Sequence, residues 1–313
     1  MEGTEIKMTD LKFKPVEAED MKVLAPYFGL RPNKTCDSVP LDSFIWRKYY
    51  HVRYAIHENK ALLWLMKEDG VMHSAMPLCK EEDLKKYFDM TVEYFNQVLH
   101  IPFKIYLADE EAIEFLHLKE SEDFVVTEQE DLKDYLYDGE AMRKLSGKKL
   151  HKKKNHLNAF LKEYEGRYEF RRLCCSDRDD VWRFLDRWRE RKGDEVEEHL
   201  DYEVEGIHEI LKQCLDLNIR MSGVYIDGKL EAFTIGSYNQ AENMAVIHIE
   251  KANPEIRGLY QFINQQFLVQ EFPNVTLVNR EDDLGQEGLR HAKMSYNPCG
   301  FARKYLVQQK NFK

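Results

Sequence analysis

The sequence predicts an α/β protein: a mixed sheet flanked by helices, built as two successive halves with one order of elements. Three observations lead there. Runs of alternating, β-rich residues are interleaved with amphipathic helical stretches. A strand-helix-hairpin series occurs early and recurs in the second half. The chain has 313 residues, enough for two ordinary domains or one large one.

The elements run in order along the chain. "LKFKPVEAEDMKVLAPYF" (11–28) reads as a short strand and then an amphipathic helix, and "YEFRRLCCSDRDDVWRFLDRW" (168–188) has the same layout. In both, acidic residues open the helix, where they complement its dipole. A hairpin comes next. "YAIHENKALLWL" (54–65) matches "VYIDGKLEAFTI" (224–235), and Asp227-Gly228 is a strong turn signal because glycine tolerates positive φ.

A strand, a helix and a strand complete each half. They are "GVMHSAMPL", "KEEDLKKYFDMTVEYFNQVL" and "FKIYLA" in the first, and "MAVIHIEKA", "EIRGLYQFINQQFLVQEF" and "VTLVNR" in the second. Matching elements are offset by about 157 residues at the first strand and about 169 to 171 afterwards. One insertion accounts for the jump, and the charged stretch 189–206 is the place for it. Between the halves, Leu150, Leu157, Phe160 and Leu161 share one helical face, and Lys148, Lys149, Lys152, Lys153 and Lys154 cover much of the rest. The expected organisation is a domain over 1–140, a connecting helix over 141–166, and a domain over 167–313.

Composition limits the function. Net charge is −10, so a polyanion needs a local basic patch, and extensive tRNA binding is disfavoured. No apolar run approaches the roughly 18 residues of a bilayer span. The N-terminus lacks a basic region followed by an apolar one, so no signal peptide is expected and a cytoplasmic location is. The six cysteines form no C-x-x-C pair and read as free thiols of a reducing compartment. His151 and His156 are five apart and share no helical face, so no metal site is expected.

The order of elements in the second half is that of the GNAT acyltransferase superfamily. "LSGKKLHKKKNHLNAF", "VYIDGKLEAFTIG" and above all "VNREDDLGQEGLRHAKMSYNPCGFARKY" resemble the bacterial family named after the C-terminal domain of phosphatidylglycerol lysyltransferase. The resemblance covers nearly the whole chain and extends, more distantly, to the Fem peptidoglycan transferases. It implies two tandem GNAT-like acyl-CoA N-acyltransferase domains, the second carrying the transfer site. It implies a donor co-substrate, either acyl-CoA or aminoacyl-tRNA, with no covalently bound cofactor. The acceptor would be a small molecule or an aminoacyl compound. The membrane-embedded region of the lysyltransferase has no counterpart in this sequence, which puts a lipid acceptor in doubt.

"HIEKANPEIRGLYQF" (248–262) is the candidate donor turn. In the GNAT fold the strand before it splays from its neighbour, and a main-chain N–H near Ile249 to Lys251 can hold the tetrahedral oxyanion. Arg257, Gly258, Leu259 and Tyr260 would then receive a pyrophosphate. The superfamily turn usually has two glycines; this one has R-G-L-Y, which weakens the coenzyme A reading, and a plain loop is the alternative. The matching turn of the first half carries Glu81, Glu82 and Asp83, which repel phosphate.

Glu281 and Asp282 leave the carboxyl end of a strand, where they could deprotonate an acceptor or hold a cationic amine. Asn279, Arg280, Lys293 and Asn297 are candidate substrate contacts of the same motif. Helix capping explains the acidic cluster equally well. Tyr296 is the candidate acid for the leaving group, and otherwise a core aromatic. His248 and Glu250 face one side of their strand, with Glu250 a further candidate catalytic group. Lys153 and Asn155 belong to the basic patch 147–155, which either steers an anionic donor or is a solvated helix face. Two readings stay open: an acyl- or aminoacyl-transferase, and a ligand-binding or regulatory protein that keeps the tandem fold.

Overall fold

A computed structural model describes residues 11–192 and 198–312. The chain divides into two compact units, Met1–Lys133 with Ala302–Lys313, and Asp134–Phe301. In chain order the first carries β1 (Lys14–Pro15), α1 (Met21–Phe28), α2 (Pro40–Ile45), β2 (Arg53–His57), β3 (Ala61–Glu68), β4 (Val71–His73), α3 (Leu84–Glu93), β5 (Lys104–Asp109), α4 (Glu110–Phe115) and β6 (Phe124–Glu128). The second carries β7 (Asp134–Asp138), α5 (Gly139–Lys144), α6 (His151–Glu163), β8 (Tyr168–Arg172), α7 (Arg178–Lys192), α8 (Glu198–Gln213), β9 (Arg220–Ile226), β10 (Lys229–Asn239), β11 (Met244–Ala252), α9 (Leu259–Glu271), β12 (Leu277–Asn279), α10 (Glu287–Met294) and β13 (Gly300–Ala302). The chain then re-enters the first unit as β14 (Lys304–Gln309).

The duplication is visible in the ladders. In the first unit β1, β2, β3 and β4 pair antiparallel in that order. In the second, β8, β9, β10 and β11 do the same within a sheet ordered β13-β7-β12-β11-β10-β9-β8. The next strand is parallel in both, through the bridge Ser74↔Ile105 and the pair β11–β12. The bulge is duplicated too. Leu62↔Leu78 lies one residue out of register with Met66↔His73, and Ile235↔Ile249 one residue out of register with Gly236↔Ile247. Such an extra residue bends its strand and sharpens its twist.

Local chemistry explains the elements. Asp227 and Gly228 hold φ of 50° and 79°, the left-handed pair that a two-residue hairpin turn requires. Leu259, Phe262, Ile263, Phe267 and Leu268 recur at helical spacing on α9 and are buried with Leu157 and Phe160 of α6 in one core. Each such side chain contributes roughly 1.5–3 kcal/mol on leaving water.

Four expectations change. Residues 134–138, expected at the end of the first domain, form β7 of the second unit, because Tyr135 and Tyr137 lie on a strand paired antiparallel with β12. The segment 141–166 packs into the core of the second unit, which begins at Asp134 and not beyond 166. The end of the chain leaves the second unit, because β14 pairs with β5 and β6. Within the expected insertion 189–206, residues 193–197 lie outside the described residues, and the chain from Glu198 onward forms α8.

The cysteines also differ from the expectation of free thiols. Cys175 and Cys214, 39 residues apart, form a disulfide, while Cys36, Cys79, Cys174 and Cys299 do not. The bond becomes possible because α8 packs on α7 and on the turn that precedes it, and that turn carries Cys175.

Candidate active site

The second unit has an opened seam. β11 pairs with β10 along its whole length, Met244 to Ala252. It pairs with β12 only at Met244↔Leu277, Ala245↔Val278 and Val246↔Asn279. Beyond Val246 the strands part. His248 is the residue without a register partner at the bulge, and β12 runs on beside β7, where Arg280 N–H donates to Tyr135 O at 3.1 Å.

Alternation decides which amides face the seam. Asn253 N–H donates to Glu231 O of β10 at 2.8 Å, and Ile249 O accepts from Thr234 Oγ1 at 2.8 Å. Odd-numbered residues here therefore face β10, and even-numbered ones face away. Burial raises the Tyr260 pKa, and the nearby Ala252 N–H and Trp188 side chain oppose the rise. Glu250 N–H points to the same open side, and no side-chain or loop acceptor takes it among the described residues.

Side chains of β11, α9 and the segment after β12 converge on the Glu250 carboxylate. Glu250 Oε1 accepts from Arg280 Nη2 at 2.8 Å, and Glu250 Oε2 from Asn264 Nδ2 of α9 at 2.7 Å. Both members of the ion pair are buried, with side-chain exposures of 14% for Arg280 and 8% for Glu250. Arg280 Nη1 is buried without a hydrogen-bond partner among the described residues. The Arg280 guanidinium lies 4.8 Å from the centroid of the Tyr296 ring, and Lys153 Nζ of α6 lies 4.3 Å from it. Burial pushes the Tyr296 hydroxyl up to about 12, against the lowering effect of the nearby Arg280 and Gln261 side chains.

The next residue makes a second cluster. Glu281 Oε1 lies 2.9 Å from His248 Nδ1, whose other ring nitrogen lies 3.1 Å from Ser237 Oγ. Glu281 holds φ of 57°, a conformation that bulky residues avoid. Its N–H donates to Asn279 Oδ1 at 2.7 Å, and its carbonyl accepts from Tyr135 N–H at 3.1 Å. Asn279, fully buried, also donates to Asp134 Oδ2 at 3.0 Å.

The rest of the motif holds this loop. Lys293 is buried and donates to the carbonyls of Arg280 and Asp282, with its pKa lowered by burial. Asp282 Oδ1 accepts from Leu284 N–H at 3.1 Å in a turn ahead of α10, whose N-cap position is Gln286, so Asp282 does not cap the helix. Asp283 accepts from both Arg290 Nε and Nη2 at 2.9 Å and from the Tyr135 hydroxyl.

The donor turn departs from the expectation. Gly258 is buried with φ of 85°, and a Cβ there would lie 2.1 Å from His156 O and 3.0 Å from Phe160 Cβ. The glycine lets α6 pack against the turn, so that corner is closed by main chain. Arg257 is exposed, with Nε 3.4 Å from His156 Nδ1. Leu259 and Ile249 are core residues. Lys251 pairs with Glu203 of α8 at 2.6 Å over the Trp188 ring.

Of the expected residues, then, the fold gathers Glu250, Arg280, Tyr296 and Lys153 at the seam, with Glu281 next along the chain. Asn155, which contacts His151 at 3.3 Å on exposed α6, and Asn297, in an exposed turn, are not drawn in. Sequence reasoning missed Gln261, Asn264 and Ser237. Gln261 and Asn264 have a readable signal: two amides three apart, and so on one face, in the first two turns of a helix.

A duplicated mixed sheet, with a bulged strand parting from its parallel neighbour, defines a tandem GNAT-like fold. The chain belongs to the phosphatidylglycerol lysyltransferase, C-terminal, family, whose model matches residues 37–308. It is similar to a conserved protein of unknown function from Bacteroides thetaiotaomicron, 25% identical, covering 96% of this chain and 100% of that one, with a TM-score of 0.85. L-PGS from Bacillus licheniformis is 15% identical over 96% of this chain and 95% of that one, with a TM-score of 0.67. FemX, at 8% identity, covers 96% and 98% with a TM-score of 0.66. An uncharacterized Mycoplasmoides gallisepticum protein is 27% identical over 74% of this chain and 73% of its own length. No helix among the described residues is long and apolar enough to cross a membrane.

Proposed function

We propose that this protein transfers an aminoacyl group from an aminoacyl-tRNA ester to a hydroxyl or amine acceptor. The observation that carries this reading is the Glu250 amide at the opened seam, beside a desolvated Arg280. A fixed N–H in a low-dielectric place stabilises an oxyanion without reorganisation. The Glu281 carboxylate, positioned by His248, takes the proton of the acceptor. The acceptor oxygen or nitrogen then bonds to the ester carbon, whose oxygen becomes the oxyanion against Glu250 N–H. Collapse of the adduct breaks the bond to the ribose oxygen. Tyr296, kept neutral by burial, supplies that oxygen with a proton.

The closed corner at Gly258 favours an ester donor over acyl-CoA, since a pyrophosphate would have to approach the backbone where α6 already lies. The family's name, and the names of L-PGS and FemX, point the same way. They make phosphatidylglycerol the first hydroxyl acceptor to test. One observation favours the reading without turnover: Arg280 and Glu250 already fill the mouth of the seam.

The test is a transfer assay with each aminoacyl-tRNA, with phosphatidylglycerol vesicles and small amines as acceptors, read by mass spectrometry. Discharge above the rate in buffer, abolished by Glu281→Gln, supports the proposal. No discharge of any aminoacyl-tRNA, together with retained binding of one, leaves the binding-protein reading.

A further inference from the structure

We infer that Lys153 and Arg280 form a phosphate-binding site beside the seam, and that it takes a phosphate near the 3′ end of a nucleic-acid donor. The inference rests on the proposal that the donor is a tRNA ester.

Two observations carry it. Arg280 Nη1 is buried and has no hydrogen-bond partner among the described residues, although Nη2 is engaged with Glu250. A guanidinium N–H left bare in a desolvated place is unfavourable until an acceptor arrives. Lys153 Nζ is half-buried and makes no hydrogen bond among the described residues; its contact is the face of the Tyr296 ring, which Arg280 also flanks. Glu250 neutralises one of these two cations, and Tyr296 is uncharged. One positive charge with open donor positions is left over, which a phosphate oxygen matches in charge and in acceptor geometry.

The start of α6, the helix that carries Lys153, and the segment before it extend the cationic surface. Lys144, Lys148, His151 and Lys154 line a cleft of about 590 Å³ around the start of α6. Cations spread over the end of α5, the turn after it and the start of α6 suit successive phosphates of a strand better than a single headgroup. Burial first, and Arg280 second, lower the Lys153 pKa, and a bound phosphate opposes both effects.

The probe is the trinucleotide CCA, titrated into the full chain at several salt concentrations, with phosphatidylglycerol vesicles as the other arm. Lys153→Gln is expected to weaken CCA binding about tenfold and to reduce the log–log salt slope by about one, while Lys153→Arg binds within about threefold of the parent. In the unsubstituted protein, CCA should raise the Lys153 pKa measured by NMR. Unchanged CCA affinity in Lys153→Gln, or an unmoved pKa, overturns the site. Binding to vesicles but not to CCA overturns its nucleic-acid source. If the parent transfers aminoacyl groups while Lys153→Gln binds CCA normally, this inference alone fails. If CCA binds through Lys153 and no aminoacyl-tRNA is discharged, the site stands and the transferase proposal fails.

Discussion

Arg280 reaches across the mouth where β11 and β12 part and donates to Glu250 at 2.8 Å, both side chains out of water. Buried pairs contribute little net stability, but losing one partner strands the other charge. Glu250→Ala should therefore destabilise the protein by about 3–5 kcal/mol in urea denaturation. The double change Glu250→Leu with Arg280→Met should recover most of that loss. A cost below about 1 kcal/mol for the single change would mean that water screens the pair.

Gly258 and Gly228 provide a controlled contrast. Both hold positive φ, 85° and 79°, but a Cβ at Gly258 meets His156 O at 2.1 Å, and one at Gly228 meets nothing within 4 Å. Gly228→Ala should cost about 1–2 kcal/mol, the conformational penalty alone. Gly258→Ala should cost more, because α6 must also move. Equal thermal-melt shifts for the two would show that the turn is not closed by α6.

Asp283 gives a pH signature. Burial by itself would raise its pKa, but Arg290, the Tyr135 hydroxyl and the Gly285 amide outweigh it and hold the carboxyl at about 2. The folded value lies below the unfolded one of about 3.9, so the stabilisation is complete above roughly pH 4 and fades as pH falls toward 2. Asp283→Asn should flatten the stability curve across that window. An identical slope in both proteins would place the acid sensitivity elsewhere.

Tyr296→Phe separates chemistry from packing. The ring and its core contacts remain, and one hydroxyl is lost. If the phenol supplies the leaving-group proton, transfer should fall about 10²- to 10⁴-fold with a stability loss near 1 kcal/mol. A fall in stability with unchanged transfer would make Tyr296 a structural residue.

The disulfide can be counted. Denatured, unreduced protein should titrate four thiols, and reduced protein six. Closing a 39-residue separation constrains the unfolded chain by up to about 4 kcal/mol, so reductant should lower the melting temperature. Six thiols without reductant would remove the cross-link.

The sequence by itself determined what depends on neighbours along the chain. Period-2 and period-3.6 patterns located the hairpins, β11 and α9, and the recurrence of those patterns revealed the duplication. The family motif marked out Arg280, Glu281 and Tyr296. Tertiary structure alone decided the non-local pairings. β7 becomes a strand only because β12 lies beside it, β14 leaves the half that encodes it, and Cys175 meets Cys214 across a helix pair. It also settled what one residue type is for. Gly258 could have opened a turn to an anion or admitted a helix, and local sequence carries the φ but not the identity of what approaches. Arg280 is likewise marked by its motif as a substrate contact, but only the parting of two strands takes it out of water beside Glu250.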